Sequence, residues 1–319
     1  MDATTTRPVK LNTPVLAPKA PRSSLWMDTG KYLLRNRSAV IGMILISLLI
    51  VIALFASVIA THDPLLPMIG QPGHTGRLPA RAPCIHLLGC PAAEPEHYLG
   101  LDLNARDIFS RLVYGTRVSL VVGFTAVVFS IVSGTLLGMI AGYAGAWIDN
   151  LIMRLMDVLL AFPSLLLAIV IVTILGSGLQ NALLAIAIVT IPVYARLARA
   201  QVLMVKELDY VTATKSLGAS SGRILFFHIF PNSLTPLIVQ GTLGIGTAVL
   251  DAAALSFIGL GAQPPIAEWG AMLSEARSYV FTAPHMVFFP GLAIMLTVLG
   301  FNLLGDGLRD ALDPRLNRI

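Results

Sequence analysis

The chain has 319 residues, of which 55% are hydrophobic and only 12% are charged, and its formal net charge is +5. Because soluble domains carry about 25% charged residues, this composition and the mean hydropathy of +0.79 exclude an ordinary soluble protein. The apolar segments are long runs such as AVIGMILISLLIVIALFASVIA, and not the short alternating ones of a β-barrel. They predict an integral membrane protein with an all-α fold.

Six apolar segments are long enough to span a bilayer as helices, since one crossing takes about 20 residues. They are Ala39–Ala60, Val118–Ala141, Val158–Leu175, Leu179–Leu197, Leu234–Leu255 and Val287–Leu304. The sequence therefore predicts a polytopic protein with six transmembrane helices surrounded by membrane lipid.

The segment before the first span, residues 1–38, is a basic N-terminal tail, and its four prolines prevent a long helix. The first apolar run, residues 39–60, begins late and lacks an obvious small-residue cleavage site. We therefore interpret it as a retained first transmembrane helix and not as a signal peptide. Residues 61–117 follow as a long loop on the opposite side of the membrane.

The distribution of Lys and Arg predicts the orientation. With six spans, sixteen of the 22 basic residues lie on the side of the N-terminus: Arg7, Lys10, Lys19, Arg22, Lys31, Arg35, Arg37, Arg154, Arg196, Arg199, Lys206, Lys215, Arg223, Arg309, Arg315 and Arg318. The positive-inside rule makes this side cytoplasmic, so both termini are expected in the cytoplasm. Topology explains the net charge, which gives no support for nucleic-acid binding.

Both cysteines lie in the long loop, in the run APCIHLLGCP. On an oxidising face, two cysteines six positions apart with Gly89 between them most simply form a local disulfide, Cys84–Cys90. A metal site using Cys84, His86, Cys90 and His97 is an alternative, but its spacing does not match a strong zinc pattern, so we predict no metal site. Unpaired thiols without a function are the third possibility.

The polar run 206–232 separates two of the apolar segments and predicts two short helices at an angle. The first is capped by Asp209 and ends at Gly218, which can adopt the left-handed conformation; Ser220 caps the second, which Pro231 terminates. A partner surface would bury the apolar side chains of the run: Val211, Leu217, Ile224, Phe226 and Phe227. The alternative is an ordinary loop lying on the protein's own helix ends.

This run resembles the cytoplasmic EAA loop of ATP-binding-cassette (ABC) importer permeases, whose usual pattern is Glu-Ala-Ala, three residues, Gly, then an apolar position and Pro. The matching positions are Thr212, Ala213, Thr214, Gly218, Ile229 and Pro231, so the acidic first residue and the second alanine are absent. The resemblance implies coupling to an ATPase through eight residues: Tyr210, Thr212, Ala213, Gly218, Arg223, His228, Pro231 and Asn232.

Further segments resemble dipeptide and oligopeptide permeases of the C type, in the same order along the chain. They are HYLGLDLNARDIFSRLVYGTRVSL, with Ala105 where glycine is usual, GYAGAWIDNLIMRLMDVLLAFPSLLLAI, LSFIGLGAQPPIAEWGAML and FNLLGDGLRDALDPRL. The resemblance covers most of residues 30–319. It implies a type I ABC importer permease in a prokaryotic plasma membrane, with a permease core at 118–305 and a cytoplasmic tail at 306–319.

The resemblance also implies partners: a second, nonidentical permease subunit, two cytoplasmic ATPase subunits and an extracytoplasmic substrate-binding protein. The sequence agrees with this division, because it contains no GxxxxGK[ST] phosphate loop and no convincing Ser/His/Asp or HExxH constellation. We expect no enzymatic activity and no cofactor in this chain, with ATP and Mg bound by the ATPase partners. Their movement would drive alternating access through the run 206–232.

Three further positions attract interest. Asp251 is the one acid well inside an apolar span; a role in the translocation pathway, attracting a peptide's ammonium group, and a structural hydrogen bond between helices both remain open. Arg154 and Asp157, three positions apart near the cytoplasmic end of the third span, could pair on one helix face, but anchoring at the membrane interface is the favoured role. Trp269 suits the membrane interface or contact with the binding protein.

The substrate is not fixed by the chain. Proteins of this kind handle dipeptides, longer peptides, glutathione, nickel complexes or haem, and the resemblance favours peptides. The rival classes are an ATP-independent secondary carrier, which would use intramembrane ions and internal repeats, and a membrane subunit without transport. The run 206–232 argues against both, and ATP-dependent uptake discriminates between them and an importer.

Overall fold

The computed structural model describes residues 30, 32–71, 74, 78–92 and 94–312, and within these ranges the chain is helical without a β-strand. The predicted all-α class is confirmed. Most of the basic tail 1–38 and the last seven residues of the tail 306–319 lie outside the described residues. The helices are Arg37–Leu54 (α1), Ala56–Ile59 (α2), Ile108–Ala144 (α3), Ala146–Leu160 (α4), Ser164–Leu175 (α5), Leu179–Val205 (α6), Asp209–Ser216 (α7), Ser221–Arg223 (α8), Phe230–Phe257 (α9), Trp269–Ala276 (α10) and His285–Leu312 (α11).

Five helices of the described chain are long and apolar enough to cross a membrane: α1, α3, α6, the continuous helix Ser221–Phe257 and α11. Four of them contain a predicted span and extend beyond at least one of its ends, whereas α1 ends at Leu54, six residues before the predicted end of the first span. The second span begins ten residues earlier than predicted because Asp107 caps α3, its carboxylate accepting the backbone N–H of Ser110 at 2.8 Å. The last helix continues to Leu312, so the described part of the predicted tail 306–319 is helical and continuous with the last span.

The third predicted span, Val158–Leu175, is not a single helix. The axis bends by 92° between α4 and α5. The break falls at Pro163, whose ring lacks a backbone N–H and disfavours helical geometry in the preceding residue. With 12 residues, α5 is only about 18 Å long, whereas the hydrocarbon core of a bilayer is about 30 Å thick. The bent pair therefore takes the place of one straight span.

The closest helix contact joins α3 to α6, and glycines make it possible. Gly134, Gly138 and Gly142 are four positions apart and lie on one face of α3. A Cβ atom at Gly138 would collide with the carbonyl oxygen of Ala195 on α6. Small residues at such a seam let two backbones approach closely, which is how helices pack in lipid. This seam forms the centre of the bundle, and α9 packs against both of its helices.

Residues 267–272, which lead into and begin α10, belong to the core. Trp269 is fully buried and packs on Gly115, and its Nε1 donates to the carbonyl oxygen of Leu112 at 3.1 Å. Beside it, the carboxylate of Glu268 caps α10 through two backbone N–H groups, and burial raises the pKa of Glu268. The expectation that Trp269 anchors the membrane interface or contacts a binding protein is therefore wrong.

Ion pairs connect α4 to α6. Asp157 pairs with Arg196 at 2.6 Å and not with Arg154, the alternative partner considered from the sequence. One helical turn away on α6, Arg199 forms a bidentate pair with Asp149, with Nη2 to Oδ2 at 2.6 Å. These contacts fix α4, the first half of the bent pair, against the end of α6.

Candidate functional site

The segment between α6 and α9, residues 206–232 (the α6–α9 segment), contains the predicted coupling residues. Its first arm is α7, which begins at Asp209 with Leu208 in the capping position, so the predicted cap at Asp209 is wrong by one residue. Gly218 follows α7 with φ of +81°, which confirms the predicted left-handed conformation. A Cβ atom at Gly218 would meet nothing within 4 Å, so backbone conformation alone requires glycine there.

The second arm differs from the prediction. Ser220 precedes α8 in an extended conformation but makes no side-chain cap. α8 leads into a π-helix, Ile224–Ile229, which continues into α9 without a break. Pro231 therefore does not end the second helix. It lies in the first turn of α9, directly after the π-helix, whose wider turns replace the regular α-helical hydrogen bonds that a proline would otherwise break. The second arm and the following span are one helix.

One side of the α6–α9 segment is packed against the bundle. Val211 and Ile224 are 4% and 2% exposed and lie in one apolar cluster with Met139 of α3 and with Val202 and Val205 of α6. These two side chains therefore need no partner protein, contrary to the expectation. Movement of either arm must act on the ends of α3 and α6, because packed interiors do not deform freely.

The other side of the α6–α9 segment remains uncovered. Leu217 is 88% exposed, Phe226 53% and Phe227 74%. The turn at Gly218 places Leu217 at its start, and the two phenylalanines follow within the π-helix. Leu217 and Phe227 are large exposed apolar side chains suited to a protein contact, whereas Phe226 lines an apolar groove with Met139 of α3.

Three of the predicted coupling residues meet in one hydrogen-bond network between the two arms. Tyr210 Oη donates to the backbone carbonyl oxygen of His228 at 3.0 Å. Asn232 Nδ2 donates to the same oxygen at 2.7 Å and to Tyr210 Oη at 2.9 Å. The network closes the first arm onto the π-helix and fixes the angle between the arms.

The remaining predicted coupling residues do not join this network. Thr212, Ala213, Arg223 and Pro231 are exposed. Among the described residues, no ion pair involves Arg223. Their side chains are therefore accessible to a partner.

Asp251 lies in the second half of α9 and is half-buried. It neighbours Thr247 and Leu250, both exposed, on the side of α9 that the described part of the chain leaves uncovered. No hydrogen bond or ion pair to Asp251 is formed within the described residues. A structural hydrogen bond to another helix of this chain is therefore wrong, and the carboxylate is left for a cavity or for another subunit.

The connection between α2 and α3, residues 60–107 (the first connection), contains the cysteines. Cys84 and Cys90 form a disulfide with 5.4 Å between their Cα atoms. Neither sulfur is then a thiolate, so the alternative metal site that used both cysteines is wrong. Cys84 also exchanges two backbone hydrogen bonds with His97, both 2.9 Å.

A buried charge cluster in the first connection was not predicted. Arg106 Nε contacts Asp102 at 2.7 Å and its Nη2 contacts Glu275 at 2.7 Å. Arg111, which is fully buried, lies 3.5 Å from Asp102 and 3.6 Å from Glu275. The sequence signal is the four-residue spacing of Asp102 and Arg106, but nothing in the sequence shows that Glu275 completes the cluster.

The family is given by comparison with known proteins. Residues 134–318 match the family described as the binding-protein-dependent transport system inner membrane component. Residues 24–72 match the N-terminal TM domain of oligopeptide transport permease C. This chain belongs to the family of binding-protein-dependent transport system inner membrane components. It is thus a multi-pass inner-membrane permease subunit of an ABC importer, and this family works with ATPase and substrate-binding partners.

Individual relatives cover nearly the whole permease. It is 52% identical over 92% of its length, and 91% of the relative, to the dipeptide transport system permease protein DppC of Alkalihalophilus pseudofirmus. It is 47% identical to DppC of Haemophilus influenzae, over 95% of this permease and 97% of that one. The glutathione transport system permease protein GsiD of Pectobacterium atrosepticum is 46% identical, with 95% of both chains covered.

The fold has a solved counterpart in the MetNI methionine ABC transporter in an inward facing conformation. The TM-score is 0.52 at 21% identity, and the alignment covers 65% of this permease and 98% of that chain. The predicted type I importer permease fold is confirmed.

Proposed function

We propose that this permease carries peptides into the cytoplasm and that the α6–α9 segment transmits the movement of partner ATPase subunits to the transmembrane helices. The observation that carries the proposal is the two-sided construction of the segment. Its buried side packs on α3 and α6 and its second arm is continuous with α9, while Leu217, Phe226 and Phe227 remain exposed. A partner that binds the exposed side acts directly on three spans.

The proposed complex contains this chain, a second nonidentical permease, two cytoplasmic ATPase subunits and an extracytoplasmic substrate-binding protein. The ATPase subunits bind ATP and Mg, and this chain performs no catalysis. Closure of the ATPase pair moves the α6–α9 segment, and the central pathway turns outward; hydrolysis resets it. The excess of basic residues on the side of the termini supports a cytoplasmic position for both termini and for this segment.

Peptides are the proposed substrates because dipeptide, di/tripeptide and glutathione permeases are among the most similar relatives. Asp251 is the proposed pathway residue: a carboxylate without a partner in its own chain can attract the ammonium group of a peptide. Nickel complexes and haem are the less favoured alternatives. Competition between labelled dipeptide, glutathione and nickel in the same uptake assay separates these classes.

The coupling role is tested with two matched glycines. Gly218 and Gly222 both have open space where a side chain would begin, but only Gly218 has a positive φ. Gly218→Val therefore forces a bulky residue into a left-handed conformation at a cost of about 1–2 kcal/mol, whereas Gly222→Val changes mainly a surface side chain. The complete complex is reconstituted in vesicles with each variant, and ATP hydrolysis and peptide uptake are measured together.

We expect Gly218→Val to assemble with reduced uptake per ATP hydrolysed, and Gly222→Val to behave like the natural protein. Equal uptake by both variants would contradict the coupling role of the turn. Uptake that persists without ATP would contradict the importer mechanism itself, and uptake of none of the peptides would contradict the proposed substrate class.

A further inference from the structure

A cleft lies between α6, α9 and α11, at the end of the bundle that carries the α6–α9 segment (the three-helix cleft). Its volume is about 430 Å³, which is within the usual range of small-molecule sites. Leucine and valine side chains form its walls, and three polar side chains lie among them: Thr235, Gln240 and Arg309. A site of this composition can bind a small ligand that is partly apolar and partly polar.

The polar side chains of the three-helix cleft are free to bind a ligand. None of the three forms a hydrogen bond or an ion pair within the described residues. Arg309 is the one ionisable residue among the described residues that line the cleft. Asp306 and Asp310 lie near it on α11, but neither lines the cleft, and Asp310 Oδ2 accepts a hydrogen bond from Asn36 Nδ2 at 3.4 Å. A guanidinium has only donors, so the cleft favours an anion, and a carboxylate can accept two of these donors at once.

The three-helix cleft lies on the side of α9 that also carries Asp251. Gln240 precedes Asp251 by eleven positions, which is close to three helical turns, so the two residues share one face of α9, about 16 Å apart along its axis. Asp251 likewise has no side-chain partner within the described residues. This face therefore has a carboxylate in the second half of α9 and, beside its first half, the guanidinium of Arg309.

We propose that the three-helix cleft binds the terminal carboxylate of a peptide that has passed Asp251, with Arg309 pairing with the carboxylate and Gln240 and Thr235 donating hydrogen bonds to it. This inference rests on the proposed transport of peptides. A peptide has an ammonium group at one end and a carboxylate at the other, and a route with an acidic residue alone would repel the carboxylate. An extended dipeptide is about 7 Å long, so Asp251 and Arg309 act one after the other.

The reactivity of a single thiol tests the site directly. Both cysteines of the chain form the disulfide, so Thr235→Cys introduces the only thiol of this chain. The complete complex is reconstituted in vesicles, and labelling of this chain is followed with an anionic sulfonate reagent, a cationic ammonium reagent of similar size and a lipid-soluble maleimide. Thr235→Cys is combined with Arg309→Gln, with Arg309→Lys and, as the matched control, with Arg154→Gln. Arg154 is also an exposed arginine without an ion pair in the described residues, but it does not line the cleft.

We expect the anionic reagent to react faster than the cationic one, and the ratio of the two rates to fall at least about 5-fold in Arg309→Gln but not in Arg309→Lys or Arg154→Gln. A dipeptide in excess on the side of the α6–α9 segment should slow labelling by the anionic reagent, whereas the same dipeptide with an amidated C-terminus should not. Equal protection by both compounds, or protection by neither, would overturn the proposal. Reaction with the lipid-soluble reagent alone would also overturn it, since the cleft would then face lipid.

Uptake separates this inference from the proposed function. Uptake of labelled dipeptide below saturation should fall about 10-fold in Arg309→Gln, which loses a hydrogen-bonded charge contact, and should be unchanged in Arg154→Gln. ATP hydrolysis by the same complexes shows whether they assemble; if Arg309→Gln does not, the comparison of dipeptide and amide on Thr235→Cys with natural Arg309 still decides. If the natural complex takes up no peptide, the proposed function fails. If it does, and Arg309→Gln takes up as much with normal hydrolysis, only the carboxylate site fails.

Discussion

The first connection and the α6–α9 segment both link transmembrane helices, but they are stabilised in different ways. The first connection has a disulfide, two members of a four-residue charge cluster that it shares with α3 and α10, and a histidine on a buried aspartate. The α6–α9 segment has one apolar contact with the bundle and one hydrogen-bond network between its arms. It also leaves Leu217 and Phe227 exposed.

The difference shows how one chain separates a fixed part from a part that engages a partner. A segment that transmits movement needs an uncovered surface and a buried side continuous with the helices it acts on. A connection with buried charges cannot move easily, because separating such groups leaves them unpaired in a medium of low polarity. Four sets of substitutions test this contrast, from the largest expected effect to the smallest.

The largest effect is expected from Asp102→Ala in the first connection. It removes one of the two carboxylates shared by Arg106 and the fully buried Arg111 and leaves them only Glu275; because breaking a buried ion pair costs about 3–5 kcal/mol, the cost here is at most of that size. We expect a large fall in the thermal unfolding midpoint in detergent. The control is Glu96→Ala, since Glu96 is a third exposed and its carboxylate accepts only a surface hydrogen bond from the backbone N–H of His86 at 2.8 Å. If both variants unfold alike, the buried cluster does not stabilise the connection.

A smaller effect is expected from Ile224→Ala on the buried side of the α6–α9 segment. Ile224 is 2% exposed, and truncating a buried isoleucine to alanine costs about 2–5 kcal/mol. Phe227→Ser is its counterpart on the exposed side; it should change stability by less than about 0.5 kcal/mol while weakening the binding of the ATPase subunits. Unfolding curves and pull-down of the ATPases from the purified complex measure the two effects. Unchanged ATPase binding by Phe227→Ser would mean that the exposed side is not the docking surface.

The network between the two arms should contribute less. Tyr210→Phe removes the hydroxyl that contacts both Asn232 and the His228 carbonyl oxygen, and a hydrogen bond of this kind contributes about 0.5–1.5 kcal/mol. A double-mutant cycle with Asn232→Ala measures the coupling between the two side chains. Strict additivity would show that they do not act together. A rise in ATP hydrolysis without uptake would show that the network also holds the angle needed for coupling.

The smallest effect is expected at Ala105. Its φ is +57°, a conformation that favours glycine and costs other residues about 1–2 kcal/mol. Its methyl group is nevertheless fully buried beside Met68 and Leu101, and this burial offsets about 0.8 kcal/mol of the conformational cost. Glycine at this position would also lose more chain entropy on folding than alanine does. Ala105→Gly should therefore change the unfolding free energy by less than about 1 kcal/mol, whereas Ala105→Val should destabilise clearly. A large gain from glycine would mean that the buried methyl contributes nothing.

Hydropathy predicts five of the six spans because a long apolar run has few alternatives to a membrane helix. It fails at Val158–Leu175, where Pro163 bends the chain although the composition remains apolar on both sides. The conformation of Gly218 was predictable from local chemistry, since few residues adopt a positive φ without cost. The continuation of the second arm through Pro231 was not, because a π-helix has no clear sequence signal.

Contacts between distant segments were the hardest to predict. Sequence periodicity gives a burial pattern within one helix, but which side of the α6–α9 segment is covered depends on how the ends of α3 and α6 meet it. Val211 and Phe227 look equally apolar in the sequence, yet one is buried and the other exposed. Trp269 was misplaced for the same reason, since its contact with Gly115 comes from a helix more than 150 positions away.

The uncovered carboxylate of Asp251 has a practical consequence for producing this protein. In a chain synthesised without its neighbour, the half-buried carboxylate of Asp251, six residues before the end of α9, has no side-chain partner within the described residues, and a carboxylate without a partner is unfavourable in a membrane. The isolated subunit should therefore accumulate poorly and be degraded faster than the assembled one. Expression from a single message with the second permease, rather than a stronger promoter for this chain alone, is the sound route to material for study.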